Sequence, residues 1–448
     1  MLCISASSWC HQRLEVVQLR MKSMRVLLVS SNTEQINMPV LPMGLASVAA
    51  ATKSAGHEVK LLNLMSHGNS QKLIEEAIQD FNPELIGVSV RNIDDQCRET
   101  PRFLLEPVKE VVSYCRTFSS APIVVGGAGY TIFPQSALDY LGADMGIQGE
   151  GEQAFVRLIE RLQQQADITE LPGLFLPGRR AKRRGELIRK LDEFPLPVPE
   201  QLSFPLTLNG QQIWVPLQTR RGCPMHCSYC STPAIEGKII RKRSIALVVK
   251  AISGFSEAGF SYFYFVDNTF NLPASYAKEL CDHLIARKLD IRWRCIVYPR
   301  GIDEELIEKM ARAGCIEVAL GFESGSAKIL RYMNKKFLPE EVQHIAQLLQ
   351  KYEIDRMGFL LLGGPGESKE TVLESLSFAD SLQLESMKIT TGIRIYPSTP
   401  LAQTALREGV LTPTNNLLFP TFYLAQGLEP WLQETLDQWM KFHPNWHR

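Results

Sequence analysis

The chain lacks the features that would place it in a membrane, on nucleic acid or in a secretory pathway. No stretch of its 448 residues approaches the roughly 20 apolar residues that a membrane-spanning helix requires. Lysine plus arginine equals aspartate plus glutamate, at 48 each, so no net charge attracts the whole chain to nucleic acid or an anionic membrane. The first 24 residues have no basic start and no long apolar run, which argues against a secretory signal.

The chain also lacks the cysteine pattern of a disulfide-stabilised protein. Such proteins are shorter and richer in cysteine, and seven of the ten cysteines here follow no spacing pattern. We therefore expect a reducing, cytoplasmic environment. The scattered seven are Cys3, Cys10, Cys97, Cys115, Cys281, Cys295 and Cys315. The other three lie within eight residues of one another and require a separate explanation.

What is present predicts two α/β domains. Hydrophobic residues make up 45% of the chain, which is enough for more than one core. Residues 25–165 alternate short apolar β-rich runs with helical stretches, which predicts a flavodoxin-like (Rossmann-type) doubly wound domain with ligands at the carboxyl ends of its strands. The strand candidates are Val26–Ser30, Glu58–Leu62, Leu85–Val90, Ile123–Val125 and Asp144–Ile147.

Residues 1–24 and 166–212 are predicted to lie outside the two domains. The first segment is interpreted as a loose arm or a mis-assigned start, since Met21 and Met24 come just before the first strand. The second contains a predicted hairpin, Leu174–Pro177 and Glu186–Lys190, around the basic turn GRRAKRRG, and then a proline-rich linker. A solvated hairpin tip is a more ordinary interpretation of that turn than a specific anion site.

Residues 213–402 repeat a strand followed by a helix six times, which predicts a partial (β/α)6 TIM-like barrel. A short helical cap is expected over residues 403–448, with Leu428–Phe442 amphipathic. The strand candidates of the barrel are Ile213–Thr219, Tyr262–Val266, Arg292–Val297, Glu317–Gly321, Met357–Leu362 and Lys388–Ile395.

The clustered cysteines come directly after the first barrel strand. Cys223, Cys227 and Cys230 have the spacing C-x3-C-x2-C, and three thiolates on one loop can each hold one iron of a four-iron cubane. The fourth iron would lack a protein ligand, which is the open position that metal chemistry on a substrate requires. A structural zinc site is the main alternative, but it takes four ligands, and His226 is too close to Cys227 to serve without strain.

This motif, with Tyr229 before its last cysteine, resembles that of the radical S-adenosylmethionine (SAM) superfamily. The resemblance implies a [4Fe-4S] cluster that binds and reductively cleaves SAM to a 5′-deoxyadenosyl radical. It also implies SAM contacts at segments that end later barrel strands. The expected SAM-binding residues are Tyr229, Asp267, Asn268, Glu323, Phe359, Gly363 and Tyr396. Asp267 is as well explained by capping of the next helix, and Phe359 by core packing.

The N-terminal domain resembles the cobalamin-binding domain that precedes the barrel in one branch of this superfamily. The expected cobalamin-binding residues are Pro42, Gly44, Gly126, Gly127, Gly149 and Glu150. The loop after the first strand, Ser30–Asn37, has no histidine to ligate cobalt, and His57 is interpreted as structural. A domain that has lost cobalamin and serves as a substrate lid is the alternative.

The resemblance implies methyl transfer to an unactivated carbon of a small-molecule, lipid or pigment-type substrate. The expected partners are a low-potential electron donor, flavodoxin or ferredoxin, and that substrate, with no nucleic acid. A cyclase or rearrangement enzyme without methyl transfer, and a cobalamin-binding sensor or carrier without catalysis, remain as alternatives. A methylthiotransferase fits less well, because Cys3, Cys10, Cys97 and Cys115 have the wrong spacing for a second cluster. A ferredoxin-like carrier also fits less well, because it needs a fourth cysteine ligand and no nucleotide pocket.

Overall fold

The computed structural model describes residues 22–34, 39, 41–65, 68–179, 181–201, 205–208 and 210–448. Two mainly parallel sheets with their covering helices form most of it, and the segment around residues 166–212 connects them. Among the described residues, no helix has both the length and the apolar character needed to cross a membrane. The suggested arm or alternative start at residues 1–21 lies outside the described part.

The first sheet has the order β2-β1-β3-β4-β5-β6, in which only β6 is antiparallel. Strand β1 reads as a continuous apolar run because helices cover the sheet on both faces, and its residues Val26–Val29 are buried. The strands are β1 Arg25–Ser30, β2 Glu58–Asn63, β3 Leu85–Ser89, β4 Ile123–Gly126, β5 Met145–Ile147 and β6 Leu174–Phe175.

This sheet is the predicted doubly wound fold. Its order reverses at β1, so the chain leaves β1 and β3 in opposite directions and opens a crevice at their carboxyl ends. Asn69 begins α2 by accepting a hydrogen bond from the Lys72 N–H, and the left-handed Asn82 ends it. The helices are α1 Met43–Ser54, α2 Ser70–Phe81, α3 Leu105–Phe118, α4 Ala128–Ile132, α5 Pro134–Leu141 and α6 Gly151–Gln163.

The second sheet is the predicted open barrel, with one additional strand. Its order is β19-β16-β15-β14-β13-β12-β9, all parallel. The connector holds a small hairpin of β7 Thr207–Leu208 and β8 Gln211–Gln212. The barrel strands are β9 Val215–Leu217, β12 Tyr262–Phe265, β13 Arg292–Val297, β14 Cys315–Glu323, β15 Asp355–Leu362, β16 Ser386–Thr391 and β19 Trp446–His447.

Two short antiparallel ribbons accompany this sheet. One pairs β10 Arg220–Arg221 with β11 Arg241–Lys242, and the other pairs β17 Ile393–Arg394 with β18 Phe422–Tyr423. Side chains of Asp303, Ser368 and Thr399 cap the helices that follow them. The helices are α7 Thr232–Ile235, α8 Ile245–Glu257, α9 Ala274–Arg287, α10 Glu304–Arg312, α11 Ala327–Tyr332, α12 Pro339–Lys351, α13 Lys369–Ser381, α14 Pro400–Arg407 and α15 Trp431–Met440.

Two predicted features differ in the structure. Residues 186–190 form no strand, because the Ile188 N–H donates to Glu150 Oε2 at 2.6 Å instead of to a neighbouring strand. The C-terminal segment is not purely helical, because β19 pairs with β16 as a seventh strand. Trp446 is buried there and its ring stacks on Trp439 and His443.

The two sheets are joined through the loop that follows β3. Asp94 Oδ2 lies 2.7 Å from Arg394 Nε, and both side chains are buried. Thr391 donates a hydrogen bond to Glu99, and Arg98 pairs with Glu429. These contacts bring the carboxyl end of the first sheet against the carboxyl end of the second.

Candidate active site at the facing ends of the two sheets

The cysteine loop follows β9 and is held in shape by backbone hydrogen bonds. Gly222 has φ +93°, and a Cβ atom there would lie 2.2 Å from the carbonyl oxygen of Ile239, so only glycine fits. The Cys223 N–H donates to Gly237 O, and the Cys230 N–H donates to Cys227 O. The loop is therefore closed by contacts that do not use the thiols.

The three thiols are available as ligands of an iron–sulfur cluster. All three cysteines are half-buried, and burial raises the pKa of Cys227 to about 11, so cluster assembly must release thiol protons. Within the described residues, no three histidine, cysteine or carboxylate side chains are arranged to hold one metal ion. A cubane takes its cysteines at three separate corners, so this donor set fits a cluster better than zinc.

Lys335 is a site residue that the sequence analysis missed. Its ammonium lies 3.2 Å from Glu323 Oε1, 3.3 Å from the Gly321 carbonyl oxygen and 5.7 Å from the centre of the Tyr229 ring. Burial lowers the pKa of Lys335, but the charges of Glu323, Tyr229 and Cys227 raise it, and the net pKa is well above its ordinary value. A buried cation therefore faces the cluster loop; nothing in the local pattern around Lys335 distinguishes it from a surface lysine.

A cleft of about 580 Å³ opens beside this cation, between the two domains. Four of the predicted SAM-binding residues line it from the barrel side, and they are Tyr229, Glu323, Phe359 and Tyr396. The first domain contributes mainly polar and charged side chains, and they are Arg91, Asn92, Asp94, Asp95, Gln96, Cys97, Glu99 and Arg102. The cleft thus lies at the carboxyl ends of the barrel strands, where barrel enzymes place their chemistry.

Asp267, which the resemblance places in contact with SAM, does not line this cleft. Its carboxylate is fully buried and accepts hydrogen bonds from Thr219 N, Thr219 Oγ1, Arg220 N and Arg220 Nε at 2.5–3.1 Å. Four donors occupy the acceptor positions of the carboxylate. Asp267 therefore anchors the chain just before the cysteine loop.

Asn268 and Gly363 also lie outside the cleft. The Asn268 amide donates to Glu236 Oε2 at 2.6 Å, and Glu236 in turn accepts from the Gly222 N–H at 3.0 Å. Asn268 thus supports the cysteine loop through Glu236. Gly363 is buried, and a Cβ atom there would lie 2.4 Å from Leu424 Cδ1, so its glycine permits close packing of the chain.

Two cavities lie at the carboxyl edge of the first sheet, with volumes of about 200 Å³ and about 420 Å³. All six residues predicted to bind cobalamin line one or both of them: Gly126, Gly149 and Glu150 line the smaller, Pro42 the larger, and Gly44 and Gly127 both. A Cβ atom at Gly44 would meet no atom within 4 Å, so the missing side chain leaves open space for a ligand.

The lining of the smaller cavity suits an apolar group. Leu28, Val124, Val125 and Phe155 contribute apolar side chains to it, as is usual for cofactor pockets. His57 is not part of this lining; its Nδ1 accepts a hydrogen bond from the Met24 N–H at 3.3 Å. The residues present therefore fit a bulky cofactor, without a histidine ligand from His57.

Glu150 has a further role that the sequence did not indicate. Its Oε1 lies 2.7 Å from Arg241 Nη2 and 3.5 Å from Arg221 Nη1, while Glu152 Oε1 lies 2.5 Å from Arg221 Nη2. Burial would raise the pKa of Glu152, but the charge and hydrogen bond of Arg221 lower it below its ordinary value. Because Arg221 and Arg241 belong to the β10–β11 ribbon, these pairs connect the glycine-lined cavities directly to the cysteine loop.

Arg91 stands where the cavities and the cleft meet. It lines both the larger cavity and the cleft, and it makes no hydrogen bond or ion pair with any described residue. Burial lowers its pKa from the ordinary arginine value. Arg91 follows the predicted strand Leu85–Val90, but its place in the sequence does not indicate this position between the cavities.

Two protein-family models match the chain, one for each of its two domains. The Radical SAM superfamily model matches residues 217–379, and the B12 binding domain model matches residues 31–159. The chain is a radical SAM protein with a B12-binding domain. Its cofactors are accordingly a [4Fe-4S] cluster, SAM and cobalamin, in agreement with the sequence analysis.

Individual relatives of this radical SAM protein resemble it over most of their length. It is 26% identical to an uncharacterized methyltransferase of Pyrococcus horikoshii, over 94% of this chain and 92% of that protein. It is 24% identical to the tryptophan 2-C-methyltransferase of Streptomyces laurentii, over 84% and 74% of the two chains. The structure of the methyltransferase TsrM from Kitasatospora setae, with cobalamin and [4Fe-4S] cluster bound, shares its fold with a TM-score of 0.82 at 21% identity, over 95% and 91%.

Proposed function

We propose that this radical SAM protein methylates a carbon atom of a small polar molecule held in the cleft between its domains. The observation that carries the proposal is the position of Arg91, which lines both the cobalamin-side cavity and the cleft that contains the SAM-side residues. A substrate placed there would be reached from both cofactor sites. Relatives described as methyltransferases support the same reaction class.

The three cysteines are proposed to hold the cluster, and Asp267 and Asn268 to position their loop. When bound, the cluster supplies the electron that cleaves SAM, and cobalamin supplies the methyl group. Tyr229, Glu323, Phe359 and Tyr396 line the space for SAM. The ammonium of Lys335 balances the negative charge of the thiolates and of Glu323 in a site where burial strengthens such interactions.

The lining of the cleft favours a polar substrate over a lipid. Arg91, Asp95 and Arg102 face the space beside the SAM-side residues. Burying a long hydrocarbon here would remove water from Arg91, which has no ion-pair partner among the described residues, and burying an unpaired charge is costly. An anionic group on the substrate would instead pair with Arg91, the cleft cation without an ion-pair partner among the described residues.

The proposal is tested by anaerobic reconstitution with a chemical reductant and methyl-labelled SAM, followed by analysis of the small-molecule products. Deoxyadenosine together with S-adenosylhomocysteine supports methyl transfer. Deoxyadenosine alone would favour a cyclase or rearrangement enzyme. Absence of both, with cobalamin bound, would favour a carrier or sensor.

Replacement of a cluster ligand gives a second test. Cys227→Ala is expected to abolish deoxyadenosine formation, because an iron without its thiolate is lost from the cubane. Cys315→Ala, at the opposite end of the barrel sheet from the cysteine loop, is the matched control and should retain iron and activity. Full SAM cleavage by Cys227→Ala would refute the assigned ligand.

A further inference from the structure

Residues 237–239 cover one side of the cysteine loop, and they are partly or fully exposed to solvent. Gly237 O accepts the hydrogen bond of the Cys223 N–H, and the backbone of Ile239 packs against Gly222. The Ile239 side chain is 77% exposed, and Lys238 is exposed beside it. The residues nearest to Cys223 on this side therefore belong to the molecular surface.

The basic turn of the connector packs directly beside this segment. Arg184 Nη2 donates to the Ala234 carbonyl oxygen at 2.9 Å, and Arg241 Nη1 donates to the Ile188 carbonyl oxygen at 2.6 Å. Leu187 Cδ1 lies 2.5 Å from the position of a Cβ at Gly237, and its side chain is 40% exposed. The turn is thus a neighbour of the cluster loop and not a remote hairpin tip.

The surface formed by these two segments carries a strong local excess of positive charge. Residues 178–190 contain one acidic side chain, Glu186, which pairs with Arg157. The exposed cations here are Arg179, Lys182, Arg183, Arg184, Arg189, Lys190 and Lys238. Lys182 pairs with Glu170, and Lys190 with Glu193 at 3.8 Å. In a chain with zero net charge, such a patch produces a local positive potential.

We propose that residues 182–190 together with Lys238 and Ile239 form the docking surface for an acidic one-electron carrier protein. The inference rests on the proposed function, since the cluster must be reduced from outside. One electron leaves the carrier, which is oxidised, and enters the cluster, which is reduced; no bond forms or breaks in this step.

The composition of the surface fits such a partner. Leu187 and Ile239 provide a small apolar centre, and the surrounding cations provide a charged rim, as in weak interfaces. Electron-transfer complexes are small and short-lived, and complementary charge accelerates their formation in a salt-dependent manner. The opposite side of the loop faces the cleft, where SAM and the first domain leave no room for a protein.

The test compares cluster reduction by a chemical and by a protein donor. The reconstituted full chain is mixed anaerobically with dithionite or with a reduced acidic flavodoxin, and the rate of cluster bleaching is followed by stopped-flow absorbance. The double variant Arg183→Glu with Lys238→Glu reverses two charges of the patch. Lys53→Glu with Lys250→Glu, on helices α1 and α8, changes the same number of exposed lysine or arginine charges elsewhere and is the matched control.

The expected result is an unchanged dithionite rate and at least a tenfold slower reduction by flavodoxin in the double variant. Salt should slow the flavodoxin reaction of the unsubstituted chain and the control, and affect the double variant little. Ile239→Ser, which keeps the charges, should slow only the flavodoxin reaction.

Equal rates of reduction by flavodoxin in all chains would overturn the proposal. Loss of reduction by dithionite, both in the charge-reversed double variant and in the neutral double variant Arg183→Gln with Lys238→Gln, would also overturn it. Charge reversal that abolishes binding of transfer RNA but leaves the flavodoxin rate unchanged would assign the patch to nucleic acid instead. Because bleaching is measured without methyl transfer, failure of the proposed function would show separately, as missing methylated product in the dithionite reaction.

Discussion

Gly222 is the residue at which the cysteine loop leaves no room for a side chain. Its φ of +93° is unfavourable for other residues, and the Ile239 carbonyl oxygen would lie 2.2 Å from a Cβ atom. The sequence placed a glycine before Cys223 but gave no reason for it. The reason lies in residue 239, which becomes a neighbour of residue 222 only when the ribbon after the loop folds back.

We expect Gly222→Ala to impair cluster assembly, because the added methyl group would push the loop away from Ile239. Iron and sulfide content after anaerobic reconstitution should fall several-fold, while SAM and cobalamin sites remain folded. Gly254→Ala in α8, where a Cβ atom meets nothing within 4 Å, is the control and should stabilise the helix by roughly 0.5–1 kcal/mol. Normal iron content in Gly222→Ala would contradict the steric argument.

Glu367 shows how a single buried acid can give the protein a pH dependence. Burial raises its pKa to about 7, although the N–H groups of Gly363 and Gly364 donate to its carboxylate and oppose the shift. Between pH 4.5 and pH 7 the unfolded chain loses this proton before the folded chain does. The free energy of unfolding therefore falls as pH rises through that interval, by about 3 kcal/mol in total.

Glu367→Gln should remove this contribution while keeping an oxygen to accept the two N–H groups. Urea unfolding at pH 5 and pH 8 should show a smaller loss of stability in the variant than in the unsubstituted chain. The exposed Glu374→Gln, on the following helix, is the matched control for the loss of one carboxylate. An identical slope in Glu367→Gln and the unsubstituted chain would show that Glu367 does not titrate as argued.

At the scale of elements, the β10–β11 ribbon joins the cysteine loop to the glycine-lined cavities of the first domain. It carries Arg221 and Arg241, which pair with Glu150, just before α6, and with Glu152 in the first turn of α6. Buried pairs of this kind are costly to break because the remaining charge stays uncompensated. The ribbon therefore holds the cysteine loop at a defined position relative to the glycine-lined cavities.

Glu152→Gln should loosen that position without removing a cofactor ligand. We expect a loss of about 3–5 kcal/mol in stability and, at temperatures where the chain is folded, a lower ratio of methylated product to deoxyadenosine. Iron, cobalamin and deoxyadenosine are measured in the same samples. Glu84→Gln, which breaks the half-exposed pair with Arg25, should cost less than about 1 kcal/mol. An unchanged ratio would limit Glu152 to stability alone.

The long elements were predictable and the short ones were not. The strands β1, β2 and β13 match their predicted bounds within one residue, because each has an apolar pattern long enough to show its period. The helices α4, α7 and α11 and the two-residue ribbons were missed. These helices have four to six residues, and each strand of the ribbons has two. Elements this short depend on contacts with residues distant in sequence more than on local propensity.

At the scale of the whole molecule, the two sheets are assembled end to end through buried charge. The pair between Asp94 and Arg394 has almost no exposure on either side chain, and Arg394 also donates to the carbonyl oxygens of Ile395 and Leu417. Since this pair and the ribbon pairs join the domains at two places, we expect them to unfold together.

Calorimetry should therefore show one transition for the unsubstituted chain. Asp94→Asn leaves Arg394 buried without its charged partner, so the contact between the two domains should weaken by roughly 3–5 kcal/mol. The unfolding transition should then split into two or shift to lower temperature. Asp80→Asn, which affects an exposed pair with Lys60 at 3.8 Å, should have little effect. Two transitions in the unsubstituted chain would show that the domains are not coupled.

The sequence by itself determined the two α/β domains, the cluster motif and the glycines that line the cavities, because these depend on periodicity, on spacing within one loop and on the absence of a side chain. Only the tertiary structure decided that Asp267 is an anchor, that Glu150 pairs with arginines and that Lys335 and Arg91 belong to the site. The physical reason is that a charged side chain acts according to its surroundings, and these are formed by residues distant in sequence, such as Arg241, which lies 91 residues from Glu150.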